Sequence, residues 1–196
     1  MEQRLRDQYR FLLEIDQLKN VLRQNVLSDQ SRRENSAEHS WHLAVMALCL
    51  GEYAEPGTDV AVATKMLLLH DLVEIDAGDA FVHTPEEQTR LRVNEIAAAK
   101  RIFALLPADQ GSGFESLWTE FESGSSREAK FARVIDKVQP LLLIEATGAI
   151  TWRTFGTTRS QILRKLEFIA TDAPKLWPRI QRTIDEALAT GALVRD

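Results

Sequence analysis

His70 and Asp71 stand side by side at the end of an apolar run, "MLLLHD", and the residues after them are acidic. Glu74, Asp76, Asp79, Glu86 and Glu87 follow, with no Lys or Arg between Met66 and Thr89. The turn before His70 is wholly apolar, so this helix end is expected to be buried. An ionised carboxylate buried without a partner costs several kcal/mol. Asp71 must therefore be paired, protonated or bound to a metal, and no cation lies nearby in sequence. A divalent ion would resolve the charge and give His70 a role. Adjacent helical positions point about 100° apart, so the two side chains converge on one ion only at a helix terminus. The plainer alternative is a helix-terminal His bonded to free carbonyls, with Asp71 solvated.

The chain has three more histidines. "ENSAEHSWH" sets His39 near the start of another helix and His42 one turn on, and either could be a ligand. His83 follows the acidic run. "ARVIDKVQP" places Asp136 in a late helix, off its apolar stripe of Phe131, Val134, Ile135, Val138, Leu141 and Leu142. Its own face holds Ala132, Gln139, Pro140 and Leu143, with no cation one turn away. Taken alone, Asp136 reads as a solvated helix carboxylate. Pro140 lacks the N–H that would bond the carbonyl of residue 136, so a kink or loosening is expected there.

Helices must position these groups, because helical periodicity dominates the chain. Leu5, Tyr9, Leu12, Ile15 and Leu22 recur at near-helical spacing. "SAEHSWHLAVMALCLGEYA" reads as a helix entered through Ser36, with Gly51 near its end. "DVAVATKMLLLHDLV" is apolar on almost every side and is expected to be buried all round. "EEQTRLRVNEIAAAKRIFALL" is amphipathic and stops before Pro107. "FESLWTEFE" is short and "SSREAKFARVIDKVQPLLLIEA" long. The last helix opens with Pro174 near its first turn and closes on Gly191. "GSG" at 111–113 and "ESGSS" at 122–126 read as loops. No stretch alternates convincingly with period two. The expectation is an all-α single domain over residues 1–196, a bundle of about six to eight helices.

Composition narrows the function. The chain has 196 residues, 44% hydrophobic and 27% charged, with a net charge of −5. A basic surface for a nucleic-acid polymer is not expected. No apolar run approaches the ~20 residues that cross a bilayer, and the charged N-terminus is no signal peptide. Cytoplasmic location without membrane attachment is the expectation. The one cysteine, Cys49, reads as a small buried hydrophobe. Glycine-rich phosphate loops of the GxGxxG or GxxxxGK[ST] type are absent.

Taken together, "EHS", "HDLVE", "GD" and "IDK" resemble the HD-domain metal-dependent phosphohydrolases, most closely the branch containing the 5′-deoxynucleotidases. The resemblance covers most of the chain. "QLKNVLRQ" is similar to the branch's early segment, "RRENSAEHSWHLAVMA" and "LLLHDLVEIDAGD" to its two metal-binding helices. "ESLWTEFESGSSREAKFARVIDK" is similar to the segment leading to its last aspartate. The resemblance implies His39, His70, Asp71 and Asp136 as ligands of one divalent metal ion, with His42 left out. It implies Glu74 beside the substrate and its attacking water, Asp79 on the nucleoside sugar and Arg23 on the phosphate. It also implies a homodimer. Where bacterial members of the branch carry a tryptophan after that arginine, this chain has Gln24. The resemblance does not extend to "AFVHTP", so His83 receives no role and reads as structural or superficial.

The implied reaction is hydrolysis of a small-molecule 5′-(deoxy)nucleoside monophosphate to nucleoside and phosphate. Mixed nitrogen and oxygen ligation suits Mn²⁺, Co²⁺, Fe²⁺ or Zn²⁺, and the histidine supply argues for one ion rather than two. Two alternatives stand beside it. One is an HD phosphohydrolase of nucleoside triphosphates or signalling nucleotides. The other is a metal- or nucleotide-binding protein without turnover. The aromatics Trp118, Trp152, Phe155 and Trp177 read as packing either a core or an interface.

Overall fold

Three helices, at residues 36–50, 60–69 and 127–146, pack against one another at the centre of the fold. The computed structural model describes residues 1–79 and 85–195. His83 lies outside the described residues. The helices are α1 (Glu2–Ile15), α2 (Ser36–Leu50), α3 (Val60–Leu69), α4 (Glu74–Ala77), α5 (Pro85–Phe103) and α6 (Ala108–Ser123). They continue as α7 (Arg127–Ala146), α8 (Ile150–Phe155), α9 (Arg159–Leu166), α10 (Ile169–Asp172) and α11 (Trp177–Ala189). The all-α expectation holds, since only a two-stranded antiparallel sheet accompanies them among the described residues, β1 (Leu22–Val26) and β2 (Arg33–Asn35).

That sheet was not legible as a period-two pattern. The strands are short, and their register shifts between the Leu22↔Asn35 and Val26↔Arg33 pairs. The link between them turns on Gln30, which takes φ +61° where glycine or asparagine would be the usual signal. Leu22, expected on a helical stripe, is an exposed strand residue.

Hydrophobic burial forms two adjoining cores. In the larger, Leu43 and Met46 of α2, Met66 and Leu67 of α3 and Val134 and Ile135 of α7 pack with the C-terminal helices. In the smaller, Phe11 of α1, Ile102 and Phe103 of α5 and Trp118 of α6 surround Leu69, Leu72 and Val73. The chain thus passes from one core to the other at His70 and Asp71. Trp152 joins the larger core and Phe155 is exposed, which sorts these aromatics by position.

Several expectations are corrected. Leu5, Tyr9 and Leu12 of α1 are exposed. The helix packs instead through Phe11, whose ring lies 5.8 Å from Phe114, and through two polar pairs, Arg4–Asp109 and Gln8–Gln110. α3 is not buried all round, because Ala61, Lys65 and Leu68 face outward. On α7, Leu142 is exposed while the rest of its stripe is buried. Cys49 is exposed, on the outward side of α2 with Trp41, Val45 and Leu48. The cap of α2 is Asn35 rather than Ser36: the Asn35 side chain accepts from the Glu38 amide while Glu38 reaches back to the Asn35 amide. Glycines 111 and 113 lie inside α6; position 111 requires glycine because a Cβ there would collide with the Phe103 carbonyl, whereas Gly113 faces open space. α7 runs helically from Arg127 to Ala146 through Pro140. The proline near the start of α11 is Pro178, not Pro174. In "TTRSQ", Thr158 and Gln161 form a capping box for α9.

Candidate metal centre

α3 does not end by fraying. It tightens into a 3₁₀ turn, His70–Val73, before the single turn of α4, which stops at Gly78 with φ +74° and ψ +160°, a conformation open essentially to glycine. The tightened turn splays His70 and Asp71 about 120° apart while keeping both buried. α2 brings His39 from one side, and α7 brings Asp136 and Gln139 from the other.

One ligand atom from each of His39, His70 and Asp136 lies within 4.8 Å of the others, and all three residues are buried. His39 Nε2 is 3.1 Å from Asp136 Oδ1, and His70 Nε2 is 3.7 Å from the same oxygen. Asp71 sits at the edge of this group. Its Oδ1 is 2.9 Å from His70 Nε2, and its Oδ2 is 4.0 Å from His39 Nε2.

The tautomers follow from the other ring nitrogens. His70 Nδ1 lies 2.9 Å from the carbonyl of Leu67, which can only accept, so Nδ1 carries the proton. The carbonyl contact and the approach to the carboxylate cluster are thus made by different ring nitrogens of the same residue. His39 Nδ1 lies 2.9 Å from Gln139 Oε1 and donates to it. Both Nε2 lone pairs therefore point into a group of carboxylate oxygens, and His70 Nε2 is a buried atom without a hydrogen bond. Lone pairs facing anionic oxygens repel unless a proton or a metal ion sits between them. The donor set fits a divalent ion, with histidines oriented by acceptors behind them.

The same conflict governs protonation. Burial alone would lower the His70 pKa, but Asp71 and Asp136 outweigh it and push it up to about 10. His39 moves upward too, burial being outweighed by Asp136 and Glu34. Asp136 is held well below the usual carboxylate range, since Lys137, His39 and His70 overcome its burial. Asp71 is also lowered, by His70 and Arg23 against burial.

The missing counter-charge of the acidic run comes from distant residues. Arg23 on β1 donates to Asp71 Oδ2 at 2.9 Å and approaches Glu74 Oε1 at 4.0 Å. Asp136, outside that run, is paired by its own neighbour: Lys137, on the exposed side of α7, donates to Asp136 Oδ2 at 2.7 Å. Asp76, in the same acidic run, is bridged by Arg101 of α5, whose Nη2 is 2.8 Å from its Oδ1. Asp136 is not a solvated carboxylate either, because its face of α7 is buried with Ala132, Gln139 and Leu143.

Glu74 stands beside the cluster, one turn past His70. Ser36 donates to its Oε2 at 2.6 Å. Burial and the nearby Asp71 raise its pKa to about 8. Asp79 follows Gly78, half-buried and raised by burial, and its charge is felt at both Arg23 and Glu74. His42 lies outside the group, its Nδ1 3.2 Å from Gln139 Nε2. Sequence reasoning missed Glu34, Ser36 and Gln139, all buried. Glu34 and Ser36 are polar residues flanking the histidine motif, a signal that becomes meaningful once the strands are known, and Gln139 lies one turn past Asp136 on α7.

The family model for the HD domain matches residues 15–177. The chain is 43% identical to a protein of Magnetospirillum magnetotacticum MS-1 described as a predicted metal-dependent phosphohydrolase. That crystal structure superposes with a TM-score of 0.91 over 97% of this chain and 96% of the other. The chain is 33% identical to human 5′-deoxynucleotidase HDDC2 over 67% of this chain and 64% of that protein. The Bos taurus relative of the same name is 33% identical over 70% and 66%. The match therefore spans just under two thirds of these relatives' length.

Proposed function

The chain belongs to the HD-domain family, and from that premise we propose that it hydrolyses 5′-deoxynucleoside monophosphates to nucleoside and phosphate. His39, His70, Asp71 and Asp136 hold one divalent ion, Mn²⁺, Co²⁺, Fe²⁺ or Zn²⁺ by the mixed character of the donors. The observation that carries this reading is the convergence of two Nδ1-anchored histidines and Asp136 on one buried point. The substrate class rests on the likeness to the 5′-deoxynucleotidases.

When bound, the ion acidifies water and offsets charge on phosphorus. The chain supplies the rest. Ser36 fixes one oxygen of Glu74, leaving the other to orient water and take its proton. A raised pKa suits such a base, because the acceptor is then basic enough near neutral pH. Arg23 turns its planar fork to the phosphate oxygens. Asp79, held by the glycine-only turn before it, accepts from a hydroxyl of the sugar. The protein acts as a homodimer in the cytoplasm, which light scattering and fractionation test. No helix of the described residues is long and apolar enough to cross a membrane.

The test is phosphate release with Mn²⁺ and Co²⁺ each supplied. It compares 5′-deoxynucleoside monophosphates with ribonucleotides, 3′-phosphates and triphosphates. Release is expected from the 5′-deoxynucleotides foremost. No release from any monophosphate with either metal would sink the proposal, and a preference for triphosphates would move the substrate class.

A further inference from the structure

Glu34 is 2% exposed, the most deeply buried acid among the described residues. Placing a carboxylate there costs several kcal/mol unless its partners repay it. It caps nothing, since Asn35 caps α2. It is the middle residue of β2, and its side chain turns inward while Arg33 and Asn35 stay half-buried.

Its two oxygens face two different parts of the site. Oε1 accepts from Gln139 Nε2 at 2.7 Å. The Gln139 carbonyl oxygen in turn accepts from His39 Nδ1 at 2.9 Å, which turns Nε2 of that ring toward Asp136. Glu34 Oε2 has no hydrogen bond and lies 3.7 Å from Arg23 Nε and 3.6 Å from His39 Nδ1. Arg23 Nε is itself a buried donor without an acceptor. The strands place this pair: Arg23 and Glu34 both lie in the stretch where the register moves from Leu22↔Asn35 to Val26↔Arg33, and opposite charges on neighbouring strands attract. Arg33 locks the same strands by donating to the carbonyls of Arg23 and Leu22.

We propose that Glu34 is a positioning residue that ties the metal-binding His39, through Gln139, to the phosphate-binding Arg23. It touches neither ion nor substrate. This rests on the function proposed above. It assigns the small sheet a purpose: the sheet is the bracket that presents Arg23 and holds the back of His39 with one carboxylate.

The tie has two arms, and two substitutions separate them. Gln139→Leu removes the acceptor behind His39. Glu34→Gln keeps an oxygen for Gln139 but removes the charge facing Arg23. Cobalt(II) titration of the metal-free protein, followed by its visible absorption, reads the first arm without turnover. Calorimetric binding of inorganic phosphate to the cobalt-loaded protein reads the second.

Gln139→Leu should weaken Co²⁺ binding about 10–100-fold and shift its absorption bands. Glu34→Gln should weaken phosphate binding roughly tenfold, the order expected when a close, buried charge contact that orients the guanidinium is lost. It should raise KM for a 5′-deoxynucleotide more than it lowers kcat, with the cobalt spectrum preserved. Gln139→Met replaces Gln139→Leu if the latter does not fold, and the Glu34→Gln arm decides by itself if neither does. Folded variants whose cobalt and phosphate affinities equal the wild type overturn the inference. A fall in Tm with both affinities lowered in parallel by Glu34→Gln also overturns it, since that marks a residue needed only to fill the fold. Wild-type protein that binds neither cobalt nor phosphate would instead bring down the proposed function, and this inference with it.

Discussion

Asp71 and Asp76 come from the same acidic run, five residues apart, and each is paired with an arginine far away in sequence. Arg23 reaches Asp71 at 2.9 Å, and Arg101 reaches Asp76 at 2.8 Å. By distance the pairs are alike. By surroundings they are opposites. The Arg23 and Asp71 side chains are 15% and 10% exposed, those of Arg101 and Asp76 43% and 36%. Asp71 shares its space with His70 and His39. Arg101 also holds Glu14 at 2.6 Å and so staples α1 to α5 across open surface. A surface pair contributes about 0–1 kcal/mol, whereas stranding one member of a buried pair costs roughly 3–5 kcal/mol. Charge pattern alone therefore does not separate a working carboxylate from a fastening one. Burial beside other unsatisfied groups does.

The sharpest way to break the comparison is to strip the buried side of its donors. Asp136→Ala removes the oxygen that lies within reach of both Nε2 atoms. Divalent-metal affinity should fall at least about 100-fold, more than for loss of an outer partner, and phosphate release should fall to background. Titration calorimetry with Mn²⁺ or Co²⁺ checks it. Full metal affinity in that variant would show that the proposed four-ligand site is wrong.

The part of the centre that could be read from the residues themselves is His70 with Asp71, a histidine and a carboxylate at the end of a wholly apolar turn. The choice of His39 over His42, and of Asp136, which taken alone reads as solvated, came only with the family resemblance. Arg23, Glu74 and Asp79 were named only through family resemblance. Nothing in their spacing says that Arg23 lies 2.9 Å from Asp71. Glu34, Gln139 and Ser36 were missed because each matters only through a partner brought close by folding. Glu34 and Gln139 are 105 residues apart, Ser36 and Glu74 38 apart. The strands that place Arg23 and Glu34 are too short and irregular for an alternating pattern. The leucines of α1 show the reverse error. They keep helical spacing yet stay exposed, because Arg4, Gln8 and Phe11 define the face that α6 accepts.

A smaller but more discriminating change is Glu74→Gln. Phosphate release should fall about 10²–10⁴-fold, the usual share of a positioned base, with metal affinity retained. Unchanged release at saturating metal would remove Glu74 from the chemistry. The metal-free protein offers a second reading, through pH. The groups facing Glu74 are Asp71, Arg23, Asp79 and the Ser36 hydroxyl, and its pKa rises from 4.5 to about 8. A carboxyl whose folded pKa is raised binds its proton more tightly when folded. Its contribution is fully present below pH 4.5 and is lost as pH rises through 8. Wild type should therefore lose stability over that window relative to Glu74→Gln, by at most on the order of 4 kcal/mol. Urea unfolding of both proteins at pH 5 and pH 9 measures it. A gap that does not change with pH would mean Glu74 is not held protonated.

The smallest expected effect lies on the exposed side. Asp76→Asn breaks the Arg101 bridge but leaves Arg101 its second partner, Glu14. Stability should drop by less than about 1 kcal/mol, and less again in high salt, because exposed pairs are screened. Metal affinity and phosphate release should match the wild type, although Asp76 is only two residues from Glu74. Urea unfolding at low and high salt, with phosphate release in parallel, reads all of this. If Asp76→Asn instead cut turnover as Glu74→Gln does, the short helix α4 would be transmitting strain from the surface into the site. The two arginine pairs would then differ in exposure but not in consequence, and burial would no longer be what divides the run.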